Sequence, residues 1–321
     1  MNIPKRIYLC IKMDTASFFI KHRALFGSYP CQESVNELEN LGVRYFVDLT
    51  YPGENKIVDY TTNYTYIRYP IPDRRIPEDW KSFTKFLLRI SRTIRHLKYN
   101  EDTDKHELLY LHCKGGHGRS GVVVACLLCH LGKYTPEKSL ELTSQYHYNR
   151  KTMRSHWRTM GSPQFCTQKK FVHMFFESLY FFRAYKFGYT MGMSNFTSHS
   201  VETELGIFPT SEAAFQAYKD PGNEEYVQQQ KDSKTPMYSK QIGMKCNLRE
   251  DWHEIRDNLM YKVIRLKFEQ HEDIRENLLK TGLRPIIEKP INDNYTYTYK
   301  HKNRLGEILV QVRKELLAAG Y

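Results

Sequence analysis

The stretch Leu109-Tyr-Leu-His-Cys113-Lys-Gly-Gly-His-Gly-Arg119-Ser-Gly121 decides how the first half of this 321-residue chain is read. A β-type run from Glu107 to His112 ends at Cys113, and an apolar, helix-like run extends from Gly121 to Leu131. Five residues separate Cys113 from Arg119, and three of them are glycine. A glycine-rich turn between a strand and a helix points successive backbone N–H groups inward at the positive end of the helix, which makes an anion nest. Here the nest is Lys114, Gly115, Gly116, His117 and Gly118. A cysteine at its mouth is expected to have a lowered pKa and to be a thiolate near neutral pH, and Arg119 to hold two phosphoryl oxygens in bidentate fashion. A plain turn around a buried cysteine has no need of arginine, serine and three glycines together.

The Cys-x5-Arg-Ser spacing, with His112 before and Gly121 after, resembles the protein tyrosine and dual-specificity phosphatase family. The resemblance covers about residues 5 to 180. It implies an α/β domain with a central, mostly parallel sheet flanked by helices, and Cys113 as a nucleophile that forms a phosphocysteine without a metal. Phosphoryl transfer also needs a proton for the departing oxygen. Asp73, forty residues upstream in Tyr69-Pro-Ile-Pro-Asp-Arg-Arg-Ile-Pro77, resembles the family's general acid in spacing and flanks; Asp59 and Asp79 are weaker candidates. Ser120 is placed to hydrogen-bond the sulfur, to cap the helix, or both. Gln164 or Gln168, in Ser162-Pro-Gln-Phe-Cys-Thr-Gln168, resembles the glutamine that orients the attacking water, or else begins a surface helix. The phosphotyrosine-binding loop of the large tyrosine-specific enzymes is absent, so a compact dual-specificity type with a shallow pocket is expected.

Length suits two domains, predicted at 1–182 and 183–321. With 40% apolar residues the chain can pack cores. The net charge of +12 is uneven: residues 1–182 hold 27 Lys+Arg against 17 Asp+Glu, and residues 183–321 hold 21 against 19. The basic character of the first half favours an acidic substrate, such as a phosphoprotein or another phosphate monoester; an RNA 5′-phosphate is possible but not required. Lys114, His117, Arg74 and Arg75 are expected to place positive charge beside the pocket. Arg89, Arg92, Arg95 and Lys98, and likewise Arg150, Lys151, Arg154 and Arg158, read as solvated faces. Seven scattered cysteines, with no signal peptide and no long apolar segment, predict a reduced, cytoplasmic chain without a membrane anchor. Cys126 and Cys129 lie in an apolar run and read as core. No cofactor or metal site is predicted.

In the second half, Ser194-Asn-Phe196, Pro209-Thr-Ser-Glu212 with Phe215-Gln-Ala217, Arg249 with Asp251-Trp252, Lys267-Phe268, Leu278-Leu279 with Thr281-Gly282, Glu288, Asp293 and Asn303-Arg-Leu-Gly306 resemble the NADAR (YbiA-like) family over about residues 185 to 321. The resemblance implies a mostly helical α+β domain that hydrolyses N-glycosidic bonds of ribosylated or ADP-ribosylated substrates. Such a reaction passes through an oxocarbenium-like ribose and needs carboxylates. Glu212 and Asp293 are the candidates. Trp252 is expected to stack on a base, and Asn195, Arg249 and Asn303 to bind ribose or phosphate. The sequence departs from the family pattern at Ala213, where a histidine is usual, and at Thr296-Tyr297, where an aromatic-glycine pair is usual. The chain therefore reads as a bifunctional hydrolase, with an active phosphatase carrying a degenerate nucleotide-binding module as the alternative.

Overall fold

The computed structural model describes residues 15–55, 57–101, 105–181, 191–288 and 303–321. The chain divides into two compact units, 1–176 and 177–321.

The first unit opens with β1 (Ala16–Ile20), β2 (Ala24–Gly27), α1 (Gln32–Leu41), β3 (Val43–Asp48) and β4 (Thr65–Arg68). After these come α2 (Trp80–Arg95), a small hairpin of β5 (Tyr99–Asn100) and β6 (Lys105–His106), and β7 (Leu108–His112). Four helices follow: α3 (Arg119–Gly132), α4 (Pro136–Tyr148), α5 (Ser155–Met160) and α6 (Cys166–Phe176). The main sheet has the order β1-β2-β7-β3-β4, parallel except for β1. All five residues of β7, in its centre, are buried, as a strand covered on both faces requires. Side chains alternate: α1 sets Val35 and Leu38 against Leu25, Phe46 and Tyr110, while α3 packs against β2, α2, α4 and α6. From Arg119 to Cys129 every residue of α3 is buried, which explains the apolar run that follows Ser120. Cys126 and Cys129 lie in this core, where burial pushes both thiols up, Cys129 to about 11.

Register positions the site. Gly27, His112, Asp48 and Arg68 line up across the four parallel strands. Their C-terminal ends thus open on one edge, where open α/β sheets bind ligands. Surface helix α2 shows the expected split: Phe83, Phe86, Leu87, Ile90 and Ile94 are buried and Arg89, Arg92 and Arg95 exposed. Asp79, a weaker acid candidate, is its N-cap and accepts from the Ser82 N–H at 3.0 Å.

The second unit contains β8 (Leu179–Phe181), β9 (Val201–Thr203), β10 (Gly206–Phe208), α7 (Ser211–Ala217), α8 (Glu224–Lys231) and α9 (Pro236–Gly243). It ends with α10 (Trp252–Gln270), α11 (Glu272–Lys280), β11 (Ile286–Glu288) and α12 (Arg304–Ala318). It is mostly helical. Strand β8, which precedes the sequence-based boundary at residue 182, pairs in parallel with β11, and β9 with β10 forms an antiparallel hairpin. Helix α7 packs against α8, α9 and α10, burying Ala213, Ala214 and Ala217 beside Val201, Phe208, Tyr226 and Val263. Among the described residues no helix is long and apolar enough to cross a membrane.

Candidate active site

The turn between β7 and α3 carries Cys113 at its start and Arg119 at the first helical position. Its tight path depends on Gly116, whose φ is +70° and where a Cβ would collide with the Gly27 carbonyl. The loop is tied to the neighbouring strand end by the Tyr29 N–H, which donates to the Lys114 carbonyl at 3.1 Å. Cys113 is 3% exposed. It lines a pocket together with Asp73, Arg74, Gly115, His117, Gly118, Arg119, Gln164, Phe165 and Gln168. The sequence-predicted nucleophile and acid therefore share one pocket with Gly115, His117 and Gly118 of the nest, although Asp73 comes from a different loop. The buried Ser120 hydroxyl has no hydrogen-bond partner among the described residues.

Arg119 is 2% exposed, so its charge needs compensation. Both terminal nitrogens donate to the Glu54 carboxylate. One also donates to the Ile71 carbonyl at 2.9 Å, and the other lies 3.0 Å from Asp73 Oδ1. Burial works against the guanidinium charge, but Glu54, Cys113 and Asp73 together raise its pKa. Burial likewise opposes ionisation of Glu54, and Arg119 and the Tyr51 N–H overcome it, so the Glu54 pKa is lowered. Sequence reading missed Glu54 entirely. Its only local signal was a carboxylate in a Pro-Gly turn, Tyr51-Pro-Gly-Glu54.

The Asp73 loop is registered on the sheet. The Tyr69 and Ile71 N–H groups donate to the carbonyls of Asp48 and Leu49, and the Leu49 N–H donates to His112. Arg74 takes a left-handed φ of 63° as the chain turns, with the Arg75 N–H closing on Pro72. Gln168 is fully buried rather than a surface helix start. Its amide donates to the Arg75 carbonyl at 3.2 Å and accepts from the Phe165 N–H at 3.3 Å, which ties the acid loop to α6.

Beneath the loop, His112 accepts or donates through Nε2 to the Tyr60 hydroxyl at 2.7 Å, and its Nδ1 stands 3.7 Å from Asp48. Burial lowers its pKa to about 4 despite Asp48. Asp48 in turn accepts from the Thr50 N–H and hydroxyl and from the Tyr66 hydroxyl. Two expectations are corrected. His117 does not place positive charge at the pocket, because burial and Arg150 lower its pKa to about 4. Arg150 is not on a solvated face: it is 2% exposed, bonded to the Phe26 carbonyl and over the Phe26 ring.

In the second unit, Thr210 caps α7 and Glu212 is buried in its first turn. The Glu212 N–H donates to the Asn195 carbonyl, and its carboxylate accepts from the Gln216 amide at 2.8 Å. Lys267, fully buried, donates to the Ser194 carbonyl and the Thr197 hydroxyl, each at 2.8 Å, and so fixes the loop bearing Asn195. Burial lowers its pKa to about 7. Trp252 is a core residue here, 6% exposed and packed on Phe215, rather than an open wall for a base. Arg249 forms a bidentate pair with Asp251. Asn303 does not reach this cluster: its amide clamps the β11 backbone at Ile286 and Glu288. Asp293 and Thr296-Tyr297 lie outside the described residues.

Substituting Glu54→Gln replaces one of the two carboxylates beside Arg119 with a neutral amide and loosens the bidentate hold. Initial-rate measurements on an aryl phosphate should then show kcat/KM lower by about tenfold or more, or ~1.4 kcal/mol of lost stabilisation. Unchanged kinetics would show that Arg119 is held well enough without the carboxylate.

Comparison with known proteins follows the same division. Residues 14–172 match the family model described as Swiss Army Knife protein, DSP-PTPase phosphatase domain, and residues 180–317 match the NADAR domain. A protein of Invertebrate iridescent virus 6 named as a tyrosine phosphatase is 31% identical over 266 residues, covering 82% of this chain and 81% of its own length. A similarly named protein of Invertebrate iridescent virus 3 is 41% identical over 166 residues, covering 51% of this chain and 66% of its own length. N-glycosidase YbiA of Escherichia coli (strain K12) is 34% identical over 128 residues, covering 38% of this chain and 79% of its own length. With both domains matched in order, the chain belongs to the tyrosine and dual-specificity phosphatase family in its first half and to the NADAR family in its second.

Proposed function

We propose that the first domain hydrolyses phosphate monoesters through a phosphocysteine. The observation that supports this most is the meeting of Cys113, Arg119 and Asp73 at one pocket, with Asp73 3.0 Å from the arginine. The Cys113 thiolate attacks phosphorus; an S–P bond forms as the P–O ester bond breaks, and Asp73 gives its proton to the departing oxygen. Arg119 and the N–H groups of residues 114–118 hold the non-bridging oxygens as charge develops. In the second step the Asp73 carboxylate takes a proton from water, whose oxygen attacks phosphorus. The S–P bond breaks, and the Ser120 hydroxyl donates to the leaving sulfur. Gln164 is the better placed glutamine to orient that water, since the Gln168 amide is engaged at both ends. The substrate is a phosphorylated protein or another acidic phosphate monoester, drawn by the basic first half.

The second domain acts on an N-glycosidic bond of a ribosylated or ADP-ribosylated base. As the C–N bond breaks, the base leaves with the bonding pair and Glu212 stabilises the ribose cation; water adds to the anomeric carbon and its lost proton goes to the departing base. The buried position of Glu212 beside Asn195 supports this role. A second reading, a nucleotide-binding module without turnover, is favoured by two observations. Ala213 is fully buried where the family has histidine, and Trp252 is enclosed in the core.

Cys113→Ser should lower turnover of an aryl phosphate by about 10³-fold or more, with no phosphocysteine trapped on acid quench. Wild-type rates in that variant would remove the covalent mechanism. For Asp73→Asn, esters with poor leaving groups should slow by about 10²–10⁴-fold and activated esters far less; equal losses for both would assign Asp73 a purely structural role. Glu212→Gln should abolish base release from ADP-ribosylated guanosine while phosphatase rates stay unchanged. If the wild-type chain binds that nucleoside but releases no base, the module reading stands instead.

A further inference from the structure

The imidazole rings of His117 and His147 take no part in the proposed phosphoryl transfer, yet their surroundings are closely built. His117 lies in the phosphate loop and lines the pocket with Cys113 and Arg119. Its ring lies across Gly115, where a Cβ would meet the imidazole Cδ2 at 2.8 Å and Nε2 at 3.2 Å. The glycine thus makes room for the Cδ2–Nε2 edge of the ring, and both residues line the pocket. Trp157 of α5 stacks on the ring at 4.9 Å and 17°, fixing its plane. On the other edge, Nδ1 meets Nε2 of His147, on α4, at 2.7 Å. His147 is fully buried, and its Nδ1 has no hydrogen-bond partner among the described residues. Arg150, just past α4, is also buried, with its Nε–H unpartnered among the described residues.

One proton lies between the two imidazoles, and two tautomer pairs can place it. If His117 Nδ1–H donates, the remaining His147 proton sits on Nδ1. A buried N–H then faces a region whose charge is set by Arg150 and Arg158, both of which lower the His147 pKa. If His147 Nε2–H donates instead, its Nδ1 is a bare lone pair. That is the polarity favoured by the two cations and by the unpartnered Arg150 Nε–H. Burial and Arg150 keep both rings neutral at ordinary pH. The second arrangement leaves the only His117 nitrogen-bound proton on Nε2, on the ring edge that lies over Gly115.

We infer that Arg150 and His147 are positioning residues that set His117 as a neutral Nε2–H donor to an oxygen of the bound phosphate monoester. This rests on the phosphatase reading of the same pocket. The loop N–H groups and Arg119 supply charge; His117 supplies direction, and its hydrogen bond is lost if the tautomer flips.

The test uses the full wild-type chain with ¹⁵N-labelled histidine rings, read by long-range ¹H–¹⁵N correlation at pH 7 during titration with inorganic phosphate. Both rings should be Nε2–H tautomers, and phosphate should move the His117 Nε2 resonance. His147→Phe should weaken phosphate binding about fivefold to tenfold, the worth of one neutral hydrogen bond. His147→Gln, whose amide can donate to His117 Nδ1, should restore most of it. A His117 found as Nδ1–H or as imidazolium, or an Nε2 resonance that phosphate leaves unmoved, overturns the inference. If phosphate moves that resonance but the chain turns over no aryl phosphate, the positioning chain stands and the phosphatase reading fails.

Discussion

The first domain depends on the burial of one positive charge. Arg119 is almost wholly enclosed, and a guanidinium in that position is tolerated only if every direction it faces offers an acceptor. Glu54, Ile71 and Asp73 meet that demand from two loops that are otherwise unrelated. The same loops are stitched to the strand ends through Asp48, Leu49 and His112. Arg119 thereby draws the Glu54 turn and the Asp73 loop over the N-terminus of α3. Asp73 is the more exposed of its two carboxylate partners.

Under this charged layer lies a neutral one. His112, His117 and His147 all have pKa values well below the usual imidazole range because they are buried. Their roles are directional, set by Tyr60, Asp48, Trp157 and Arg150. Positive charge at the pocket comes from Arg119, Arg74 and the N–H groups of the loop, while much of the first domain's excess lies on exposed α2. Net charge can steer an acidic substrate inward, but hydrogen-bond geometry orients it.

The NADAR domain solves a similar problem with a lysine. Among the described residues, Lys267 has no carboxylate at its ammonium, only the Ser194 carbonyl and the Thr197 hydroxyl. Burial lowers its pKa, and the group clips the Ser194–Thr197 loop through these two hydrogen bonds. That loop supplies the Asn195 carbonyl to the first turn of α7, which fixes Glu212. The lysine was visible in the sequence only as part of a resemblance.

Local sequence determined what depends on neighbouring residues. The strand, glycine turn and helix around Cys113 were legible because backbone geometry and side-chain chemistry are fixed within one short segment. The capped start of α7, the buried α3 and the alternating burial of α2 were legible for the same reason, since periodicity and caps act within a few turns. Only the tertiary structure decided the partners of buried charges. Glu54 lies 65 positions from Arg119 in an unremarked turn. Arg150 looked like a surface cation until β2 and the loop closed over it. Trp252 and Asn303 carried suitable chemistry for a pocket, but the core and the β11 edge engaged them. Spacing reveals a residue that acts through its own backbone; a residue that acts by compensating a distant charge is revealed only when folding removes water from both.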